Sequence, residues 1–357
     1  EDTCMRHRRR RSGSTVTRRV AIGLAALSAT GLVVFALVPD VAPVHTPADS
    51  SFHAGFFLDG PYSARFAGEM IAAREGYFRR GVALRALPDD PGFVETVARE
   101  NAIGVTTGQK FLLAVWRGVP VTAFAASFLD TSVAIFALER SGLHRPDDLI
   151  GKRIGCREGS EAEVVFDAMM AKLRLPRSRI VKVPDRANFQ ALRSGDVDAI
   201  VVPIDQQPSQ TSADYVPLSV MKPQDYAIHV PGQVYFASND LIRDRPSAMA
   251  DLLHGLVRGW QFAYADYSRA IPIIVDFDRS RLVPERVKFE LEQQRSLVLP
   301  VGARIGEYDE SRWRTLRDIL VFAGLGRENA PLFQAVSTQF VRGEYRRAPE
   351  KEGAGAF

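Results

Sequence analysis

The feature that most constrains this chain is an alternation. From Gly55 to Pro203, apolar runs of strand length take turns with longer amphipathic runs, which is the pattern of βαβ units in a mostly parallel sheet. Strands are expected at Gly55–Leu58, Val82–Leu87, Ala102–Thr106 and Pro120–Ala125, with helices Ser63–Arg74, Phe93–Glu100 and Gln109–Trp116 between them. A second set follows: strands Ser132–Leu138, Arg153–Cys156, Ile180–Val183 and Ala199–Pro203, with a short helix before Gly151 and helices Glu161–Leu173 and Asn188–Ser194. Asp205–Ser212 reads as helical and Tyr226–Val230 as extended. That is too many strands for one sheet of ordinary size. Gly232–Ala237 reads as a crossing back, because the rest is almost wholly helical: Pro246–Tyr267, Ser268–Asp276, Pro284–Leu297, Glu310–Phe322 and Pro331–Phe340. Pro246 and Pro284 stand where a first helical turn tolerates proline. The expected fold class is therefore α/β, two lobes, each a mostly parallel sheet flanked by helices, joined by two crossings near Ala126–Asp130 and Val230–Val234. Lobe I takes 52–128 plus 232–345, lobe II takes 129–231, and 346–357 is a polar, frayed tail.

Charge separates the N-terminus from the rest. The formal net charge is +4 over 357 residues, but seven arginines stand among residues 1–19 against Glu1 and Asp2, leaving the remainder close to neutral. A body of that balance is not a polyanion binder, so no nucleic-acid partner is expected. The basic residues 1–19 run into Val20–Val38, an uncharged stretch long enough to cross a hydrocarbon core of about 30 Å as a helix. The basic flank predicts a cytoplasmic N-terminus, with everything after Pro39 delivered outside. Residues 20–38 are either a signal peptide, with Val34-Phe35-Ala36 as the best cleavage site, or a signal anchor; 39–51 is a linker. Thr17-Arg18-Arg19-Val20 loosely fits a twin-arginine signal, and Met5 is a candidate start. The expected location is periplasmic, or the extracytoplasmic face of the inner membrane. Cys4 and Cys156 then face different compartments, so no disulfide is expected, and Cys156 reads as a small buried hydrophobe.

Three blocks carry a resemblance. They are Ala72-Ala73-Arg74-Glu75-Gly76-Tyr77-Phe78-Arg79-Arg80-Gly81-Val82, then Pro146-Asp147-Asp148-Leu149-Ile150-Gly151-Lys152-Arg153-Ile154-Gly155 followed by Gly159-Ser160, and Ala191-Leu192-Arg193-Ser194-Gly195-Asp196-Val197-Asp198-Ala199. In order and spacing, from about Phe56 to Phe340, the chain resembles the periplasmic solute-binding proteins of ABC importers. The subgroup is the one that takes up alkanesulfonates, taurine, nitrate and the pyrimidine precursors of thiamine. The resemblance implies a type II-like periplasmic-binding-protein fold, a small-molecule ligand taken up by hinge closure, an importer permease as partner, no cofactor and no reaction.

In open α/β sheets, ligands sit beyond the carboxyl ends of strands, where helix N-termini offer free N–H groups. Four loops qualify, and the family uses corresponding positions: Leu58–Tyr62, Thr106–Gly108, Arg157–Glu161 and Pro203–Gln206. The candidate ligand-binding residues are Asp59, Tyr62, Thr106, Thr107, Gly159, Ser160 and Asp205. Thr106, Thr107 and Ser160 also suit helix caps, Asp59 a turn, and Tyr62 surface packing. Asp59, Glu158, Glu161 and Asp205 would oppose an anion, which tilts the expectation from sulfonate or nitrate towards an amino-bearing pyrimidine. Two other readings stay open: an enzyme on the same fold, of the menaquinone- or pyrimidine-biosynthesis kind, and a membrane-anchored sensory binding protein. Against an enzyme, the six histidines show no metal-ligand spacing, and there is no Gly-x-Ser-x-Gly elbow, Walker loop or Gly-x-Gly-x-x-Gly fingerprint. No catalytic residue and no metal site are assigned.

Overall fold

A computed structural model of the chain describes residues 52–78, 81–88, 90–209, 215–327, 329 and 332–346. The basic tail, the 20–38 segment, the linker and most of the 346–357 tail lie outside the described residues. Among the described residues no helix is long and apolar enough to cross a membrane.

The first sheet uses β1 (Ala54–Leu58), β2 (Val82–Ala86), β3 (Ile103–Thr107), β4 (Val121–Phe128) and a strand from much later in the chain, Gln233–Ser238. Helices α1 (Ala67–Arg74), α2 (Phe93–Arg99) and α3 (Gly108–Trp116) connect the early strands. The second sheet uses β5 (Val133–Leu138), β6 (Arg153–Gly155), β7 (Val181–Val183), β8 (Ala199–Pro203) and β9 (Leu218–Met221), with α4 (Glu161–Lys172) and α5 (Phe189–Ser194) between them. The returning strand is therefore β10. The spatial orders are β2-β1-β3-β10-β4 and β7-β6-β8-β5-β9. In each sheet one strand, β10 or β5, runs against the other four. This is the two-lobed α/β architecture expected above.

The C-terminal helices α6 (Asn239–Asp244), α7 (Pro246–Ala265), α8 (Tyr267–Val275), α9 (Pro284–Val298), α10 (Glu310–Phe322) and α11 (Gln339–Glu344) complete the chain. Helices α1 and α7 touch through glycine: a Cβ on Gly259 would lie 2.0 Å from the carbonyl oxygen of Gly68. That approach seats the indole of Trp260, which is fully buried and donates to the Tyr235 hydroxyl at 2.8 Å. The other face of the first sheet buries Phe93, Phe111, Phe236 and Trp313 in edge and tilted ring contacts.

The two crossings lie side by side. Gly232 N–H donates to the Phe128 carbonyl at 3.1 Å, and a Cβ there would meet the Asp130 carbonyl at 2.2 Å. Gly232 thus serves close backbone approach. Asp130 binds both sides of this junction, accepting from His229 Nδ1 at 3.1 Å and from Arg312 of α10 at 3.1 and 3.2 Å.

Four segments differ from the sequence expectation. The described part of the helix expected at Asp205–Ser212, residues 205–209, is not α-helical: a 3-10 turn at Ile204–Gln206 ends at Gln207, whose φ −55°, ψ 134° is the extended conformation that the following Pro208 imposes, and 210–212 lie outside the described residues. Tyr226–Val230 is not a strand. The strand is β9, earlier in the chain, and Ala227 takes a left-handed φ of +57° while Ile228 and Val230 are buried without a ladder. The single helix expected at Pro331–Phe340 is a 3-10 turn, Phe333–Ala335, followed by α11. Helix α6, capped by the Ser238 hydroxyl on Leu241 N–H at 3.2 Å, was hidden in the run after β10.

Candidate functional site

On the first lobe, β1 delivers Asp59 and β3 delivers Thr106, which pair because the strands are neighbours in register. The Asp59 carboxylate accepts from the Thr106 hydroxyl and from Lys110 Nζ at 2.8 and 3.0 Å. Thr107 caps α3, accepting from Lys110 N–H at 3.3 Å, and that cap places Lys110 one turn into the helix, over Asp59. Next to them the 3-10 turn Ala64–Phe66 carries Arg65. Its guanidinium donates to Gln233 Oε1 and its carbonyl accepts from Gln233 Nε2, each at 3.3 Å, so the start of β10 holds it. Tyr62 is set apart from these groups: its ring packs against Phe277, 5.2 Å between centroids.

On the second lobe, Gly159 has φ +69°, a left-handed turn that glycine adopts without strain, and donates its N–H to Glu163 Oε2 at 2.8 Å. Ser160 caps α4, accepting from Glu163 N–H at 3.3 Å and donating to the Arg157 carbonyl at 2.6 Å. The next residue, Glu161, accepts from the Thr131 hydroxyl at 2.8 Å. Burial pushes its carboxyl up to about 7, with Thr131, Arg65 and Lys110 pulling the other way. Ser160, Glu161 and Arg157 line a pocket of about 190 Å³ with the apolar walls Val133, Ala187, Val202 and Pro203. This pocket lies at the carboxyl ends of β6 and β8, where the topology places ligands.

The lobes are tied across the gap by two arginines. Arg65 Nε stands 3.9 Å from Asp205, which sits in the turn after β8. Arg286 of α9 donates to the carbonyl oxygens of Asp205 and Gln207 and pairs with Glu290 at 2.6 Å. The structure thus brings Asp59, Thr106 and Thr107 together on the first lobe and Gly159 and Ser160 together on the second, and ties Asp205 to the first lobe; of these, Ser160 lines the pocket, whose lining comes from the second lobe. It also changes the electrostatics expected from sequence. Asp59 is matched by Lys110, Asp205 faces Arg65, and Glu158 is exposed, so three of the four carboxylates counted against an anion exert little net field in the gap. Among the described residues, Glu161 is the one of the four that lines the pocket, and it makes no ion pair there.

Arg65, Lys110, Arg286, Thr131 and Gln233 were missed by sequence reasoning. For Lys110 a signal existed, three residues past a threonine cap; Arg65 and Arg286 have none, since their partners come from distant segments. Cys156, fully buried, has its thiol pushed up to about 12, chiefly by burial and then by the Glu163 carboxylate. No group of three metal-ligating side chains occurs among the described residues.

The profile of the "NMT1/THI5 like" family matches residues 63–270. No curated protein matches in sequence. Among solved structures, the periplasmic aliphatic sulphonate binding protein SsuA from Escherichia coli superposes with a TM-score of 0.67 at 14% identity, covering 80% of this chain and 92% of that one. The alkanesulfonate-binding protein SsuA from Xanthomonas axonopodis pv. citri, bound to MOPS, gives 0.61 at 16%, covering 80% and 98%. The desulfurization enzyme DSZB gives 0.59 at 15%, covering 83% and 99%. At these identities the likeness is one of fold, and the same fold serves binding proteins and an enzyme.

Proposed function

Because the chain belongs to the NMT1/THI5 like family, which its profile match over more than half the sequence establishes, we propose that it is the extracytoplasmic solute-binding component of an ABC-type importer. Residues 52–128 with 232–345 form one jaw and 129–231 the other, and a small organic solute is captured between them and released to a permease unaltered. The observation that carries this reading is the pair of arginine ties. Arg65 and Arg286 reach from the first lobe to the turn after β8, whose Gln206 lines the pocket, so polar contacts join the lobes beside it, alongside the apolar packing of α9 on that turn and of α10 on α4. Polar contacts of that kind form and break with a hinge motion, and a ligand touching both lobes favours the closed arrangement by its differential affinity.

The pocket supports one ligand class. Apolar walls, a hydroxyl at Ser160 and an acceptor at Glu161 favour a small heterocycle bearing an amino group, of aminopyrimidine size, while Arg157 in the same lining is the group that would favour a sulfonate or nitrate. A cationic or N–H-bearing edge would give Glu161 the charge-assisted partner it lacks. Chemistry on the solute is disfavoured: the thiol of Cys156 is buried and protonated at physiological pH, so it offers no nucleophile.

A thermal-shift series with aminopyrimidines, alkanesulfonates, nitrate and flavin-like rings tests both levels, since binding to the native state alone raises Tm. Aminopyrimidines should give the largest rise. If sulfonates alone stabilise the protein the ligand class is wrong, and if a solute is converted during the assay the binding function is wrong.

A further inference from the structure

A second concavity lies away from the gap between the lobes. The loop after α9 and helix α11 enclose a groove of about 320 Å³ lined by Arg304, Arg342, Arg346, Tyr308, Tyr345 and Glu307. It flanks the outer edge of the first sheet, since Gly306 accepts from Ala126 N–H of β4 at 3.3 Å and Ser337 donates to the Ala123 carbonyl at 2.8 Å.

Three observations describe this groove. First, its three arginines line one concavity together and none of them makes an ion pair among the described residues. Second, the nearby carboxylates are engaged in other directions. Glu307 Oε2 accepts from the backbone N–H of Arg304 at 2.9 Å, and Glu344 pairs with His254 at 2.8 Å. Third, the position of Arg304 is fixed. Arg304 lies over the Tyr345 ring, 4.9 Å from its centroid, and the Tyr345 hydroxyl donates to the Ile305 carbonyl at 2.5 Å, which anchors that ring to the same loop. Three guanidiniums and one carboxylate, Glu307, leave the groove with a net positive charge that an anion would offset, and planar guanidinium forks match phosphate oxygens in geometry as well as charge.

We propose that this groove is an anion-binding site for a phosphoryl group, separate from the solute site and independent of how that site is read. The groove is larger than an inorganic ion needs, so the phosphoryl group belongs to a larger molecule: a soluble pyrophosphate-like compound or the headgroup of an anionic lipid.

Isothermal titration with pyrophosphate at low ionic strength, and sedimentation with phosphatidylglycerol against phosphatidylcholine vesicles, test it on the full chain. Saturable pyrophosphate binding that weakens at least tenfold in Arg304→Ala/Arg342→Ala and falls with added salt supports a soluble source. Retention on phosphatidylglycerol vesicles alone, lost in the same double variant, supports a lipid source. Arg243→Ala, at a paired surface arginine, should match wild type in both assays, and circular dichroism melting checks that the double variant is folded. No binding in either assay, or binding equal in wild type and the double variant, overturns the proposal.

Discussion

The two walls of the gap are made by sheets of the same design yet equipped differently. On the first lobe the charged groups described at the gap have partners: Lys110 with Asp59, Arg65 with Gln233 and Asp205, Arg286 with Glu290 and two carbonyls. Behind it stands a tightly filled core, with Trp260 on Tyr235 and the fully buried Glu69 carboxyl beside that hydroxyl. The second lobe instead presents a pocket lined by one guanidinium, Arg157, and one carboxylate, Glu161, which has a hydroxyl partner and makes no ion pair among the described residues. Fixed, neutralised groups make a rigid wall and a latch; an acceptor with spare capacity makes a reader of ligands. Stability and recognition are divided between the lobes on this account.

The largest effects should fall on the first lobe. Trp260→Ala removes a fully buried indole and leaves the Tyr235 hydroxyl short of a donor, so urea unfolding should show a loss of about 3–5 kcal/mol. A loss below 1 kcal/mol would remove the rigid wall from the comparison. Glu69 gives a pH signature of similar size. Burial raises its carboxyl from 4.5 to about 8, so the folded state binds more protons than the unfolded state between those values. Its contribution therefore declines as pH rises from about 4.5 to 8 and levels off above, by on the order of 5 kcal/mol. Glu69→Gln should flatten that part of the slope in unfolding midpoints measured at pH 5, 6.5 and 8, and unchanged slopes would contradict it.

On the second lobe the effects should appear in binding and leave folding nearly untouched. Glu161→Gln should cost an aminopyrimidine about tenfold or more in affinity, roughly 1.4 kcal/mol, with Tm of the free protein little changed. Because the carboxyl sits near 7, wild-type affinity should rise from pH 6 to pH 8 as it ionises, and the variant should lose that dependence. Equal affinity in both proteins across this range would mean that Glu161 does not read the ligand. The smallest effect belongs to the latch. Arg65→Met removes a partly exposed pair at 3.9 Å, so affinity should drop only a few-fold and the salt sensitivity of closure, followed by small-angle scattering, should diminish.

Much of the fold was legible because strand-length runs such as Ala199–Pro203 and capped helices such as Glu161–Lys172 obey local rules. Local rules also explain the failures: Pro208 outweighed the helical look of residues 205–209, and Tyr226–Val230 buries Ile228 and Val230 as a loop beside the crossing rather than as a strand. At the site, residues with local duties were found from sequence, since Thr107 and Ser160 are caps and Asp59 ends a strand. Arg65 and Arg286 were not, because their partners Gln233 and Asp205 stand 168 and 81 residues away, and nothing in the arginines' own neighbours marks them. The opposed charges of the gap could not be cancelled against each other until the fold brought them together.

The most direct measurement is equilibrium dialysis of the purified protein against the solute that stabilises it best, with mass spectrometry of what is recovered after denaturation. One equivalent per chain, returned chemically intact after hours at saturation, is the predicted result. A product of altered mass, or solute loss beyond one equivalent, would contradict capture without chemistry.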